Sequence, residues 1–508
     1  MSIISPLPLL LLLPLLLVAF YAVGRRGGEK GALFVLLFAS VVFAQSQGWW
    51  FFGLFLVSLV LNLRIAQALA RGKAGSQALA FGIVVNLAAL AVFKYADVLK
   101  VVPGGLPLAL LLGSLIPITI SFVTFQRIAA LVDARANREA LSGRRGALRF
   151  ATFASFFPNL LIGPIAYLQE VLPQFRRSDF GRLRKINLAV GLSLIAIGIF
   201  KKAGIADPLG EVFVDPVWQR VLDGRNFTSL DAVHAMAGYF LQLYFDFSGY
   251  SDIAIGIARL FGIILPINFY SPFRSVGIVD FYRRWHITLT RIIARFLFTP
   301  LSIAGTRFAA RRRLRGVAMK ALSLWIPLVV NFSIIGIWHG ATKTFFLFGL
   351  IHGIWYAAES EVRSRKGWKA FAKRTPDWQR AWAGRMIALP LLVLTFTLFR
   401  APHLDAMMDF MATFAQPMRL WFLAISPAPA DYFVLATGAL IAAFLPNTQE
   451  FLRRYRPGIV TYRVDSYTPH ALRLVWRPTV RWALVLAIIA ALGLYALPRA
   501  GAFSYGVF

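Results

Sequence analysis

Apolar residues run along this chain in long blocks, most of them close to the roughly 20 residues that carry a helix across a bilayer. The blocks cover residues 6–23, 32–47, 50–69, 78–96, 106–131, 186–206, 231–262, 292–305, 321–338, 343–359, 386–400, 430–446 and 481–497. Short basic segments separate them: Arg135 to Arg149, Arg176 to Lys185, Arg307 to Lys320, Arg363 to Arg385 and Arg453 to Arg481. No polar stretch is long enough for a separate soluble domain, and no internal repeat is visible. The pattern predicts a single integral membrane domain over 1–508, all-α and polytopic.

Two stretches depart from this pattern. Residues 153–175, FASFFPNLLIGPIAYLQEVLPQF, place three prolines and a glycine in an apolar setting. Broken backbone at membrane depth is tolerated only where protein or a water-filled cavity receives its polar groups, so a re-entrant element is expected there. Residues 266–300 mix aromatic and basic residues too densely for a span. They are expected to form interfacial amphipathic helices that line a cavity mouth.

Composition agrees with lipid as the solvent: 58% of the 508 residues are hydrophobic and the mean hydropathy is +0.67. The first block, Pro6 to Val23, has its positive charges, Arg25 and Arg26, behind it rather than in front. A cleavable signal has the reverse order, so this block is expected to stay as a helix with its N-terminus outside. Lys and Arg number 54 against 22 Asp and Glu, a net charge of +32. In a soluble protein that excess suggests nucleic acid. Here it lies in loops, where it sets sidedness and attracts anionic membrane lipids, and no nucleic-acid partner is expected. A cytosolic face this basic would also draw a phosphate-bearing substrate such as a coenzyme A thioester. The chain has no cysteine, which excludes disulfides, a thiol nucleophile, S-palmitoylation and thiolate zinc sites.

Six histidines are present: His234, His286, His339, His352, His403 and His470. His339 lies in NFSIIGIWHGATKTFFLFGLIHG (331–353), within or beside an apolar block. Ionisable residues there are costly, and a neutral imidazole is one of the few groups able to take a proton there; a helix-packing histidine is the competing reading. His352 follows 13 residues later. On one unbroken helix the two rings would stand roughly 20 Å apart. Either Gly340 interrupts the helix or His352 has another job, and a packing role is preferred. His286 follows Arg283, Arg284 and Trp285 and reads first as part of an interfacial belt, with the two arginines as candidates to grip phosphates. Asp246 and Asp252 fall in the apolar run 239–256, YFLQLYFDFSGYSDIAIG. Paired carboxylates suggest a proton or cation path, but pairing with Lys94, Lys201 or Lys202 to seat helices is the preferred reading. No GxxxxGK[ST], HExxH or GxSxG motif occurs, which argues against an ATPase, a zinc protease and a serine hydrolase.

A series of motifs, in order along the chain, resembles the membrane-bound O-acyltransferase superfamily. The likeness is to its alginate O-acetylation branch and to relatives in teichoic acid D-alanylation and peptidoglycan O-acetylation. The segments are NLAALAVFKYAD (86–97), PITISFVTFQRIAALVD (117–133), FFPNLLIGPI with PQF (156–175), GIFKKAGIAD (198–207) and YFDFSGYSDIAIG. They continue with PINFYSPF (266–273), DFYRRWHITLT (280–290), GIWHGATKTFFLFGLIHG (336–353), FRAP (399–402) and PNTQEF (446–451).

The resemblance implies a ring of roughly 11–13 transmembrane helices around a central funnel and tunnel. Its core would cover about 80–356, with C-terminal helices over 386–508. It implies that His339 is the catalytic histidine, and that a second family position falls on His286 or Asn268. Arg283, Arg284, Asn268 and Trp338 become the candidates for contacting the donor, acetyl-CoA from the cytosol, and no metal is expected. The acetyl group would cross the membrane to an extracytoplasmic partner transferase, of SGNH or alginate-acetylation type, which modifies a polysaccharide. That places the protein in a bacterial inner membrane, in exopolysaccharide biosynthesis. The chain departs from the family pattern at Thr119, at Ala294, Arg295 and Phe296, and at Lys343, and 457–480 has no family counterpart. Two rival functions are the same fold serving a lipid-linked sugar or protein acceptor, and a transporter using Asp246, Asp252 and Lys94. A transporter usually shows two related halves, which this sequence lacks.

Overall fold

The computed structural model describes residues 5–72, 75–99, 116–160, 162–416, 427–461, 474–499 and 501. His470, residues 462–473 of the 457–480 stretch and the start of the 106–131 block lie outside them. The regular secondary structure of the described residues is helical, apart from one isolated bridge between Pro266 and Ile459. The first two apolar blocks share α1 (Pro8–Gln45), which breaks at Gly28, where φ is 57°. Then follow α2 (Trp49–Ala70), α3 (Ser76–Leu99), α4 (Ile116–Ala134), α5 (Gly143–Ser155) and α6 (Leu168–Phe175). Next come α7 (Lys185–Leu222), α8 (Ser229–Leu260), α9 (Ile287–Arg311), α10 (Gly316–His339) and α11 (Lys343–Ser364). The last are α12 (Asp377–Arg400), α13 (Leu404–Phe414), α14 (Pro429–Phe444) and α15 (Val480–Ala496).

Among the described residues, seven helices are long and apolar enough to cross a membrane: α1, α2, most of α3, α7, α9, α10 and α12. Helix α8 is 32 residues long, yet its charged side chains remove it from that group. It is instead the inner helix of the protein, and every residue from Gly238 to Leu260 is buried. Its start is fixed by a capping box. The Thr228 hydroxyl accepts from Asp231 N, and the Asp231 carboxylate accepts from Thr228 N, at 3.2 and 2.9 Å, which satisfies two otherwise orphaned amides.

Two features hold α8 against α7. At two levels the backbones approach too closely for side chains. A methyl group on Gly198 would lie 2.6 Å from Gly249 O, and one on Gly256 would lie 2.8 Å from Gly191 O. Small residues allow this contact, which is the usual way helices pack in lipid. Ion pairs follow beside the crossing. Lys201 Nζ lies 2.7 Å from Asp252, and Lys202 Nζ lies 3.0 Å from Asp246 while also bonding Asp207. Asp252 further accepts from Thr448 Oγ1 at 2.6 Å and Gln449 Nε2 at 2.9 Å. The carboxylates of the 239–256 run therefore seat helices, as their preferred reading had it. Lys94 does not join them; its ammonium lies 5.1 Å over the Trp338 ring.

The 153–175 stretch is broken as its prolines predict, and protein receives its polar groups. Phe157 N donates to Ser40 Oγ at 3.2 Å, and Phe153 O accepts from Gln126 Nε2 at 3.1 Å. The 266–286 stretch sits deeper than an interfacial segment. Asn268, Ser271, Arg274, Arg284 and His286 are all buried. Its basic side chains find partners inside the protein: Arg274 donates to Leu445 O at 2.7 Å, and Arg284 to Asp280 at 3.0 Å. That internal pairing is why a stretch dense in arginine leaves the surface.

Replacing Lys202 by Met leaves two buried carboxylates without their shared cation. The expected loss is about 3–5 kcal/mol, read as a large drop in the unfolding temperature of the detergent-solubilised protein. Pairing it with Asp246→Asn should recover part of that loss. An unchanged unfolding temperature for Lys202→Met contradicts the seating role.

Candidate active site

His339 is the last residue of α10. Gly340 is extended and ends the helix, and the Thr342 side chain caps the start of α11 by accepting from Phe345 N at 3.4 Å. The two helices form a tight hairpin. A methyl group at Gly336 would lie 2.2 Å from Phe345 O, and one at Gly349 would lie 2.3 Å from Phe332 O. The break and the close packing hold the imidazole in the interior, 9% exposed. Phe399 meets it edge-on at 4.6 Å, and Phe345 stacks at 6.1 Å.

His286 arrives by a separate route. It precedes α9 with a left-handed backbone, φ 44°, a conformation that costs a non-glycine residue energy and persists only when its surroundings hold it. Here Asn268 does so. Asn268 O accepts from Ile287 N at 3.0 Å, and Asn268 Oδ1 accepts from Thr288 Oγ1 at 2.9 Å. Asn268 Nδ2 donates to Ser251 Oγ on α8 at 3.1 Å, which fixes the amide orientation. Its Oδ1 then takes the proton on His286 Nδ1, 3.1 Å away. In the neutral ring this leaves the lone pair on Nε2, the tautomer required of a general base or acceptor. Phe122 stacks on the ring at 6.2 Å and Phe247 meets it edge-on at 4.7 Å.

The two imidazoles line one small cavity, of about 30 Å³, together with Tyr282, Trp285, Phe348, Phe396 and Phe399 among others. It has room for roughly two water molecules. His286, whose sequence context reads as an interfacial belt, thus shares a cavity with His339, and Asn268 is hydrogen-bonded to it. Thr288, Ser251, Tyr282 and Phe399 complete the surroundings and were not singled out from the sequence. Thr288 and Tyr282 stood within the DFYRRWHITLT motif, Ser251 beside Asp252, and Phe399 at the head of FRAP.

His352 has the packing role. Its Nδ1 accepts from the Tyr282 hydroxyl at 2.5 Å and its Nε2 donates to Thr395 Oγ1 at 2.7 Å. The Thr395 hydroxyl in turn donates to Leu391 O at 2.9 Å, which sets the direction of the chain. Both ring nitrogens are therefore occupied in holding Tyr282, a wall of the cavity. Trp338 is buried beside His339, with ring centroids 4.6 Å apart. Arg284 is committed to Asp280 and Tyr270 O, whereas Arg283 is exposed. Among the described residues, no group of His, Asp and Glu is placed to hold a metal ion.

Known proteins give this geometry a context. Residues 37–366 match the model of the membrane-bound O-acyltransferase family. The chain is 34% identical over 400 residues to the peptidoglycan O-acetyltransferase of Helicobacter pylori, covering 70% of this chain and 71% of that one. It is 30% identical over 504 residues to the probable alginate O-acetylase AlgI of Pseudomonas putida, covering 95% of each. The teichoic acid D-alanyltransferase of Streptococcus thermophilus is 28% identical over 296 residues, covering 55% of this chain and 67% of that one. A family match over most of the chain, with relatives alike over most of their length, makes this multi-pass membrane protein an acyltransferase of the membrane-bound O-acyltransferase family.

Proposed function

We propose that the protein takes an acetyl group from cytosolic acetyl-CoA and passes it, through the cavity of His286 and His339, to an acceptor on the far side of a bacterial inner membrane. The observation that carries this reading is that two imidazoles from independent elements line one cavity. The cavity has room for about two water-sized groups, the scale of a short acyl group rather than a long chain. Aromatic walls leave little room for the water that would hydrolyse the acyl group.

In the transfer, an acceptor hydroxyl attacks the thioester carbonyl and the carbon–sulfur bond breaks. The hydroxyl proton goes to an imidazole and then to the departing thiolate. His339 performs this step, or carries the acetyl transiently as an acyl-imidazole, with His286 Nε2 as the neighbouring base. Arg283, exposed three residues from His286, would meet the donor's phosphates through its guanidinium fork. Names of relatives that acetylate alginate and peptidoglycan support a polysaccharide as the final acceptor. The partner that completes the transfer would be an extracytoplasmic transferase.

Cells with His339→Ala, at membrane levels matched to wild type, should lose O-acetyl from envelope and secreted polysaccharide by about 100-fold or more. Normal acetylation by that variant sinks the mechanism. Asn268→Ala removes the group that orients His286 and should lower transfer about 10- to 100-fold with the fold intact, measured as acetyl transfer per folded protein. His352→Leu is expected to behave in the opposite way. It unpairs Tyr282 and Thr395, destabilises by about 1–3 kcal/mol, and retains most of the activity of each molecule that folds.

A further inference from the structure

A second pocket, of about 150 Å³, lies between α2, α3 and α4 and shares no lining residue with the histidine cavity. Its walls are largely apolar, including Phe51, Phe55, Val57 and Phe93, and Val57 is 69% exposed. In this protein such a face meets lipid. Within the pocket, Asn62 and Asn86 satisfy each other: Asn86 Nδ2 donates to Asn62 Oδ1 at 2.8 Å, and Asn62 Nδ2 to Asn86 Oδ1 at 3.3 Å.

Arg127 is the exception. It lines the pocket and is 1% exposed. Among the described residues its guanidinium has one long hydrogen bond, from Nη2 to Phe55 O at 3.5 Å, and its Nε has none. Three buried cations elsewhere in the protein face a carboxylate: Lys201 with Asp252, Lys202 with Asp246, Arg284 with Asp280. Arg127 has no such partner among the described residues. Across 96–119, which joins the described side chains of α3 and α4, the single acidic residue is Asp97. The Arg127 guanidinium also lies 5.4 Å over the Phe55 ring, a weak contact beside an ion pair. A buried cation with no carboxylate among the described residues is costly at membrane depth, and its retention points to an anion supplied from outside the chain.

Position indicates the source. Phe55 stands six residues along α2 from Trp49, about 9 Å by helical rise. Trp49 and Trp50 are 74% and 65% exposed at that end, where tryptophan marks the headgroup level. The pocket continues along α2 from Phe51 to Asn62. It therefore descends from the interface to the guanidinium and opens on the lipid side.

We propose that this pocket binds an anionic membrane lipid, its phosphate against Arg127 and its chains along α2 and α3. The probe is phosphatidylglycerol, compared with phosphatidylcholine of the same chains, titrated onto the purified full chain and followed by native mass spectrometry. Wild type should bind phosphatidylglycerol at least about tenfold more tightly, the scale of a charge-assisted hydrogen bond. Arg127→Gln should bring the two lipids to equal affinity, while Arg64→Gln, on the exposed side of α2, keeps the preference. Should Arg127→Gln fail to fold, Ala89→Trp fills the pocket with Arg127 left in place, and should abolish the preference as well. Equal binding of both lipids by wild type, or a preference that survives both pocket variants, overturns the proposal. So does a photo-crosslinker at Val57 that captures a polypeptide in place of lipid.

Discussion

Two carboxylates cannot be carried through the apolar centre of a membrane protein without cations beside them, and the architecture is arranged around that requirement. Helix α8 holds Asp246 and Asp252, and α7 answers with Lys202 and Lys201. The glycines at 191, 198, 249 and 256 bring the helices close enough for the lysines to reach. Asp252 then does more than balance charge. Its remaining lone pairs catch Thr448 and Gln449, which ties the 447–450 turn to the helix. One residue earlier, Ser251 holds Asn268, and Asn268 holds His286. The orientation of one imidazole thus follows from the helix that the ion pairs seat.

The other imidazole is positioned without reference to this chain of contacts. His339 depends on the stop after α10 and on the tight hairpin with α11, while His352 fixes Tyr282 on the opposite wall. A buried histidine held from one side only would be free to adopt several rotamers. Two histidines delivered by independent elements, with aromatic rings around each, have little freedom. Such pre-organisation is the physical content of an active site in a low-dielectric interior, where proton acceptors that need not reorient stabilise developing charge best.

Much of this was legible in the amino-acid order. The apolar blocks marked where helices form because lipid leaves few alternatives, though 6–23 and 32–47 share one helix and the block that starts at 186 runs on as helix to Leu222. The prolines of 153–175 marked the broken stretch. The pairing of Asp246 and Asp252 with Lys201 and Lys202 followed from charge excess and depth. Other features were hidden by their dependence on tertiary contacts. A stretch rich in arginine and aromatics reads as interfacial; that Arg284 pairs with Asp280 four residues away, and so turns inward, becomes visible only in the fold. Asn268 entered as a candidate through resemblance, but its role as the support of His286 required three hydrogen bonds to three separate residues. Lys94 reads as a counter-ion by charge and depth, yet lies over Trp338 because α3 meets α10 rather than α8 at that level.

The most direct test of the account asks whether the two histidines act as one site. Acetyl transfer from labelled acetyl-CoA would be timed for purified wild type, His286→Gln, His339→Gln and the double variant. Residues that share one transition state are strongly non-additive, so the double variant should be no slower than the slower single variant. Losses that multiply in the double variant would contradict the shared site and assign the two imidazoles to separate steps.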